Sequence, residues 1–257
     1  TPTGQADVCE GKVYGYRNVM AYAKNQNDCQ LVEGQPNTFA AIQMNAGNLY
    51  CRGGDYRSYF GVGSAYCVYA SGGYMAVERG DFTAEREGVC VSCDFEAVSP
   101  TEYLRIADGN FQSFLGDTVQ VNGGRLVITG GTFAKDASAD TTDEDHGAIV
   151  AISGGQLTVG GAETIPFTLT GSHMAGIRAE SGTGVPQVEV VKAAFNFVTP
   201  NSLGNVGISA AAGVVRVSES SFDLSGGGDG VAVADGEVTV SDTAFSVSDG
   251  NSRGIYA

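Results

Sequence analysis

The carboxylates best placed to do chemistry stand just before a recurring aromatic: Asp55 in GGDY and Asp81 in RGDF, with Asn110 and its neighbour Asp108 in DGNF. Arg79 and Arg105 lie close by in the chain. Converging carboxylates with a basic residue are what a polysaccharide lyase or hydrolase needs, and like charges held together raise a pKa or recruit a cation. Asp and Asn beside glycine serve equally to satisfy turn backbone, and that plainer use fits these segments too. A second acidic group fills the loop KDASADTTDEDHG, where Asp140, Asp143 and Asp145 are the candidate Ca²⁺ ligands. The loop lacks the D-x-D-x-D-G order of an EF-hand, so a solvated surface turn is the simpler reading. No other metal or cofactor is expected.

A repeat must position these residues. Two apolar residues two apart, then an aromatic five later, recur as Leu49/Cys51/Tyr56, Met75/Val77/Phe82, Leu104/Ile106/Phe111 and Leu126/Ile128/Phe133. The pattern returns as Val188/Val190/Phe195, Val215/Val217/Phe222 and Val238/Val240/Phe245, and Leu157/Val159/Phe167 fits with a short insertion. A further apolar site follows at Leu169, Phe197, Leu224 and Val247, and the copies close on strands such as GAIVAI, GIRA, GISA and GVAV. Period-two alternation means strands with every other side chain inward. Three short strands per repeat predict an all-β, right-handed parallel β-helix of about nine to ten coils over residues 46–257. Residues 1–45 carry the repeat poorly and are expected to form an N-terminal cap and irregular first coil. The last segment, GIYA, falls in mid-coil, so more coils or another subunit are expected beyond Ala257.

On this register the outward residues of the first strand are Tyr50, Ala76, Arg105, Val127, Thr158, Glu189, Arg216 and Thr239, with no carboxylates on adjacent coils. Tyr74 and Tyr103 share another outward position and should stack. With Tyr50 they form the candidate ligand-binding ladder, suited to sugar rings or a protein partner. His173 and Arg178, in TGSHMAGIRAE, match a polygalacturonase pattern poorly. The Arg79-Gly80-Asp81 tripeptide sits at a repeat turn. All six cysteines, Cys9, Cys29, Cys51, Cys67, Cys90 and Cys93, lie in the first 93 residues, and histidine is too scarce for a zinc set. Disulfides in an oxidising compartment are expected. Cys51 and Cys67, the latter in line with Val89 and Ile149 on this register, could meet across the interior, with Cys9–Cys29 and Cys90–Cys93 as the other bonds; coil-to-coil bonding such as Cys29–Cys51 is the alternative.

The chain has 257 residues, 14 Lys+Arg against 29 Asp+Glu, and a net charge of −15, which argues against nucleic acid and anionic membranes as partners. No apolar run is long enough to span a membrane. The coils, for example GISAAAGVVRVSESSFDLSGGGDGVAVADGEVTVSDTAFSVSDGNSRGIYA, resemble the passenger domains of bacterial autotransporters of the self-associating adhesin type. The resemblance spans residues 46–257 and implies an extracellular, surface-displayed adhesin or stalk that binds a glycan, a host protein or its own copies. It brings no catalytic residue with it, and six cysteines are more than such passengers usually hold. The alternatives are a lyase or hydrolase acting on an acidic glycan through Asp55, Asp81, Asp108, Arg79 and Arg105, and a ligand-free scaffold.

Overall fold

A computed structural model describes residues 5–8, 12–16, 38–44, 47–59, 64–85, 88–139, 145–182, 184–198, 204–248 and 252–257. All regular elements among them are strands, paired in parallel. Each coil supplies two strand segments to a 16-stranded sheet and a third to a 9-stranded sheet. The chain is an all-β parallel solenoid.

The repeat explains the stacking. Leu49, Met75, Leu104, Leu126, Leu157, Val188, Val215 and Val238 occupy one register position, and Cys51, Val77, Ile106, Ile128, Val159, Val190, Val217 and Val240 the next inward one. The aromatics form a third ladder, running Tyr56, Phe82, Phe111, Phe133, Phe167, Phe195, Phe222 and Phe245. Their ring centroids lie 4.6 to 5.3 Å apart and neighbouring planes are within 16° of parallel. That spacing follows the strand separation of a sheet, so one aromatic per coil is held at stacking distance by the backbone itself. No single coil could bury these side chains alone.

Two sets of glycines make room for the rings. First and second strand segments meet at a bend where Gly80 and Gly109 adopt φ of +142° and +134°, and a Cβ there would come within 3.1 Å of the ring two residues on. On the second sheet, a Cβ on Gly176, Gly207 or Gly230 would meet the Phe195, Phe222 or Phe245 ring at 2.6, 2.5 or 2.6 Å. In the early coils the same register position holds Cys67 and Cys90.

Coil number and cysteine pairing differ from expectation. About seven regular coils follow one another from strand Tyr74–Glu85 to strand Glu237–Ser241, fewer than nine to ten. Strand Asn48–Tyr59 stacks on the first of these with register shifts between Cys51, Arg52 and Asp55. Strands Gln5–Val8 and Lys12–Tyr16 pair with it in turn. Cys9, Cys29 and most of the expected cap lie outside the described residues.

Cys51, Cys67, Cys90 and Cys93 are buried free thiols. The expected Cys51–Cys67 and Cys90–Cys93 bonds are not formed; the sheet register sets Cys67 beside Cys90 of the next coil. Cys67 aligns with Cys90, not with Val89, since Tyr66 pairs with Val89 and Val68 with Val91. Three of them lie within donating distance of backbone carbonyls: Cys67 of Tyr56 O and Thr83 O, Cys90 of Phe82 O and Gln112 O, and Cys93 of Gly123 O and Arg125 O. Burial pushes the Cys51 thiol up to about 12 and raises Cys93 as well; for Cys90 burial is the larger cause and the adjoining Cys67 the next. All four behave as small core residues.

Candidate functional site

The outward side of the first strand segments gathers aromatics and arginines. Tyr50 sits in the register row of Ala76, Arg105, Val127, Thr158, Glu189, Arg216 and Thr239, as the repeat predicts. Two residues earlier runs the row Asn48, Tyr74, Tyr103, Arg125, Gln156, Gln187, Val214 and Glu237, the step from Tyr103 to Arg125 following from the paired leucines beside them. The tyrosines touch. Tyr50 and Tyr74 lie 5.9 Å apart and Tyr74 and Tyr103 5.0 Å, both pairs at 67°. They meet edge to face rather than stacking flat, the arrangement ring quadrupoles favour where packing does not force the planes parallel.

Arginines frame this surface. The Arg52 guanidinium lies 5.2 Å from the Tyr50 ring centre and its Nε is 3.2 Å from Glu78 Oε2. Arg125 covers Tyr103 at 5.2 Å, a cation–π contact. Arg105 reaches Thr129 Oγ1 at 3.5 Å. Burial raises the Tyr74 pKa, with neighbouring Tyr103 adding and Arg105 opposing. Ala76 points outward in this row yet is only 2% exposed, so longer neighbours close over it.

The acidic residues sit elsewhere. Asp55, Asp81, Asn110 and Thr132 are in register on the second strand segments, as the sequence suggested. They are already engaged: Arg57 Nε donates to Asp55 at 3.2 Å, Asn110 Nδ2 to Asp81 at 2.7 Å, and Thr132 Oγ1 to Asn110 at 2.7 Å. Asp108 leaves the row and accepts the Gly109 N–H at 2.8 Å, a turn role. Arg79 donates through Nε to the Arg52 carbonyl, so the Arg-Gly-Asp tripeptide is woven into the sheet. Arg105, in the row of Tyr50, turns to Thr129. The structure therefore brings Asp55 and Asp81 together but not Asp108, Arg79 and Arg105 with them.

At the start of the third strands, Asp145 holds Arg178 through two hydrogen bonds of 2.6 and 2.5 Å. Burial pushes the Asp145 carboxyl up, but Arg178 and the Gly147 N–H outweigh it and hold it below the usual range. His146 and His173 occupy adjoining coils with ring centres 6.3 Å apart, and His146 Nδ1 lies 2.8 Å from Ser172 O. Asp140 and Asp143 lie outside the described residues. Among the described residues no three His, Cys, Asp or Glu side chains gather in a way that could hold a metal.

Sequence reasoning missed Lys135. It takes the inward site held by Leu169 and Phe197 in later coils and is completely buried. Its Nζ donates to Phe114 O at 2.9 Å and Gly116 O at 2.5 Å, tying the turn after the second strand to the interior. Burial lowers its pKa to about 8, with Asp117 opposing. The signal lay in the repeat, where Phe-Ala-Lys stands against Phe-Thr-Leu and Phe-Asn-Phe.

Fold and outward face define a parallel β-solenoid with a tyrosine–arginine surface. Compared with protein-family models, with curated proteins and with solved structures, the chain matches none.

Proposed function

We propose that this solenoid is a surface-displayed adhesive segment, in the manner of an autotransporter passenger, and that Tyr50, Tyr74 and Tyr103 with Arg52, Arg105 and Arg125 form its ligand face. The ligand class is an acidic glycan. Tyrosine rings present flat apolar surface to sugar C–H groups, while guanidinium forks pair with carboxylate or sulfate better than ammonium groups do. One observation carries this reading: three touching tyrosines stand on the outward side of the sheet with arginines against them, in a chain of net charge −15. In so acidic a protein, three arginines on one face offset the repulsion an anion meets elsewhere.

The test is binding to an array of acidic and neutral oligosaccharides by the wild type and by Tyr103→Ala and Arg105→Ala. Acidic sugars should be retained by the wild type and lost about tenfold or more by each variant, with melting temperature held within a few degrees. Equal retention of neutral sugars, or variants that bind as well as the wild type, would defeat the reading. An assay for new reducing ends on the same sugars checks the lyase or hydrolase alternative.

A further inference from the structure

Two to four coils along from Tyr103, the same outward strip carries a polar depression of about 200 Å³, lined by Gln156, Thr158, Gln187, Glu189 and Arg216. Glu189 and Arg216 are direct register partners on neighbouring coils. Elsewhere in this solenoid such opposite charges pair: Asp229 and Arg253 are also register partners, and Arg253 grips Asp229 through two 2.7 Å bonds. Glu189 and Arg216 form neither an ion pair nor a side-chain hydrogen bond, although both are exposed and one strand spacing apart. Gln156 Nε2 donates to Gln187 Oε1 at 3.2 Å, and both amides line the depression with Thr158.

We infer that this depression is a second subsite for an acidic sugar, and that the ligand is an extended anionic polysaccharide lying along the solenoid axis. The inference rests on the glycan reading of the tyrosine face and deepens it. Arg216 offers a planar donor pair for a carboxylate or sulfate, Glu189 accepts from hydroxyls, and the Gln187 amide does both. The row Tyr74, Tyr103, Arg125, Gln156, Gln187 joins the two places without a break. With coils ~4.8 Å apart, Tyr103 and Gln187 are separated by ~14 Å, so one short oligosaccharide cannot fill both while a longer chain can.

The experiment is calorimetric titration with homologous uronate and sulfated oligosaccharides, from disaccharide to decasaccharide. Affinity should rise about tenfold or more once the chain spans both subsites, since the second contact becomes intramolecular. Arg216→Ala, at an exposed position, should abolish that gain and leave disaccharide affinity unchanged; Tyr103→Ala should weaken every length. Length-independent affinity, or an Arg216→Ala protein that keeps the full gain, overturns the second subsite and leaves the tyrosine face standing. Failure of every acidic length to bind overturns both.

Discussion

Replacing Lys135 by Met would remove the one cation buried inside the described core while keeping a chain of similar length. The wild-type ammonium is 0% exposed and its pKa falls from 10.5 to about 8 through burial. In the unfolded chain the lysine keeps its proton up to about pH 10.5, whereas in the folded protein it releases it near 8. Between those values the unfolded state binds more protons, so stability rises with pH through this group. Below pH 8 both states are protonated and the burial cost is fully present. A displacement of about two and a half units corresponds to roughly 3 kcal/mol. The wild type should therefore gain about 3 kcal/mol relative to Lys135→Met between pH 7 and pH 10.5. Urea denaturation followed by tyrosine fluorescence gives both curves, and the difference between the proteins cancels groups they share. Parallel pH profiles would show that Lys135 is not a buried cation at neutral pH.

Three further outcomes follow from the interior. Phe133→Ala removes a ring 1% exposed and stacked at 4.9 and 5.3 Å on its neighbours, and should cost about 3–5 kcal/mol in urea denaturation; a loss below 1 kcal/mol would contradict the continuous ladder. Gly207→Ala places a methyl 2.5 Å from the Phe222 ring and 2.6 Å from Gly230 O, so its melting temperature should fall by several degrees, and an unchanged value would mean the third strand is misplaced. The four described thiols should resist iodoacetamide at pH 8 in the native protein and label on unfolding, given their burial and the raised pKa values of Cys51, Cys90 and Cys93. Rapid native labelling, or non-reduced peptides joined through Cys51–Cys67 or Cys90–Cys93, would contradict the free buried state.

The solenoid was legible because its inward residues repeat in type as well as in spacing, and each register partner of Phe133 and Leu126 can be read from the chain. Outward rows followed from the same alternation, which is why Tyr74 and Tyr103 were matched correctly. The third strands were harder. Successive residues such as Ile149 and Val150 are both buried there, so alternation fails and does not tell whether Val89 or Cys90 stands beside Cys67. Hydrogen-bond commitments were not legible at all. Nothing in DGNF says that Asn110 bonds Asp81 while Asp108 caps its own turn. Lys135 escaped notice because a charged residue in an apolar repeat position reads as an exception until two carbonyls are seen waiting for it.

The most direct test of the ligand face is hydroxyl-radical footprinting with and without a saturating acidic oligosaccharide. Tyr256, on the last strand and 49% exposed, is the internal reference and should oxidise equally in both samples. Protection concentrated on Tyr50, Tyr74 and Tyr103 is the predicted result. Unchanged oxidation of those three rings in a sample shown to hold bound sugar would contradict the account.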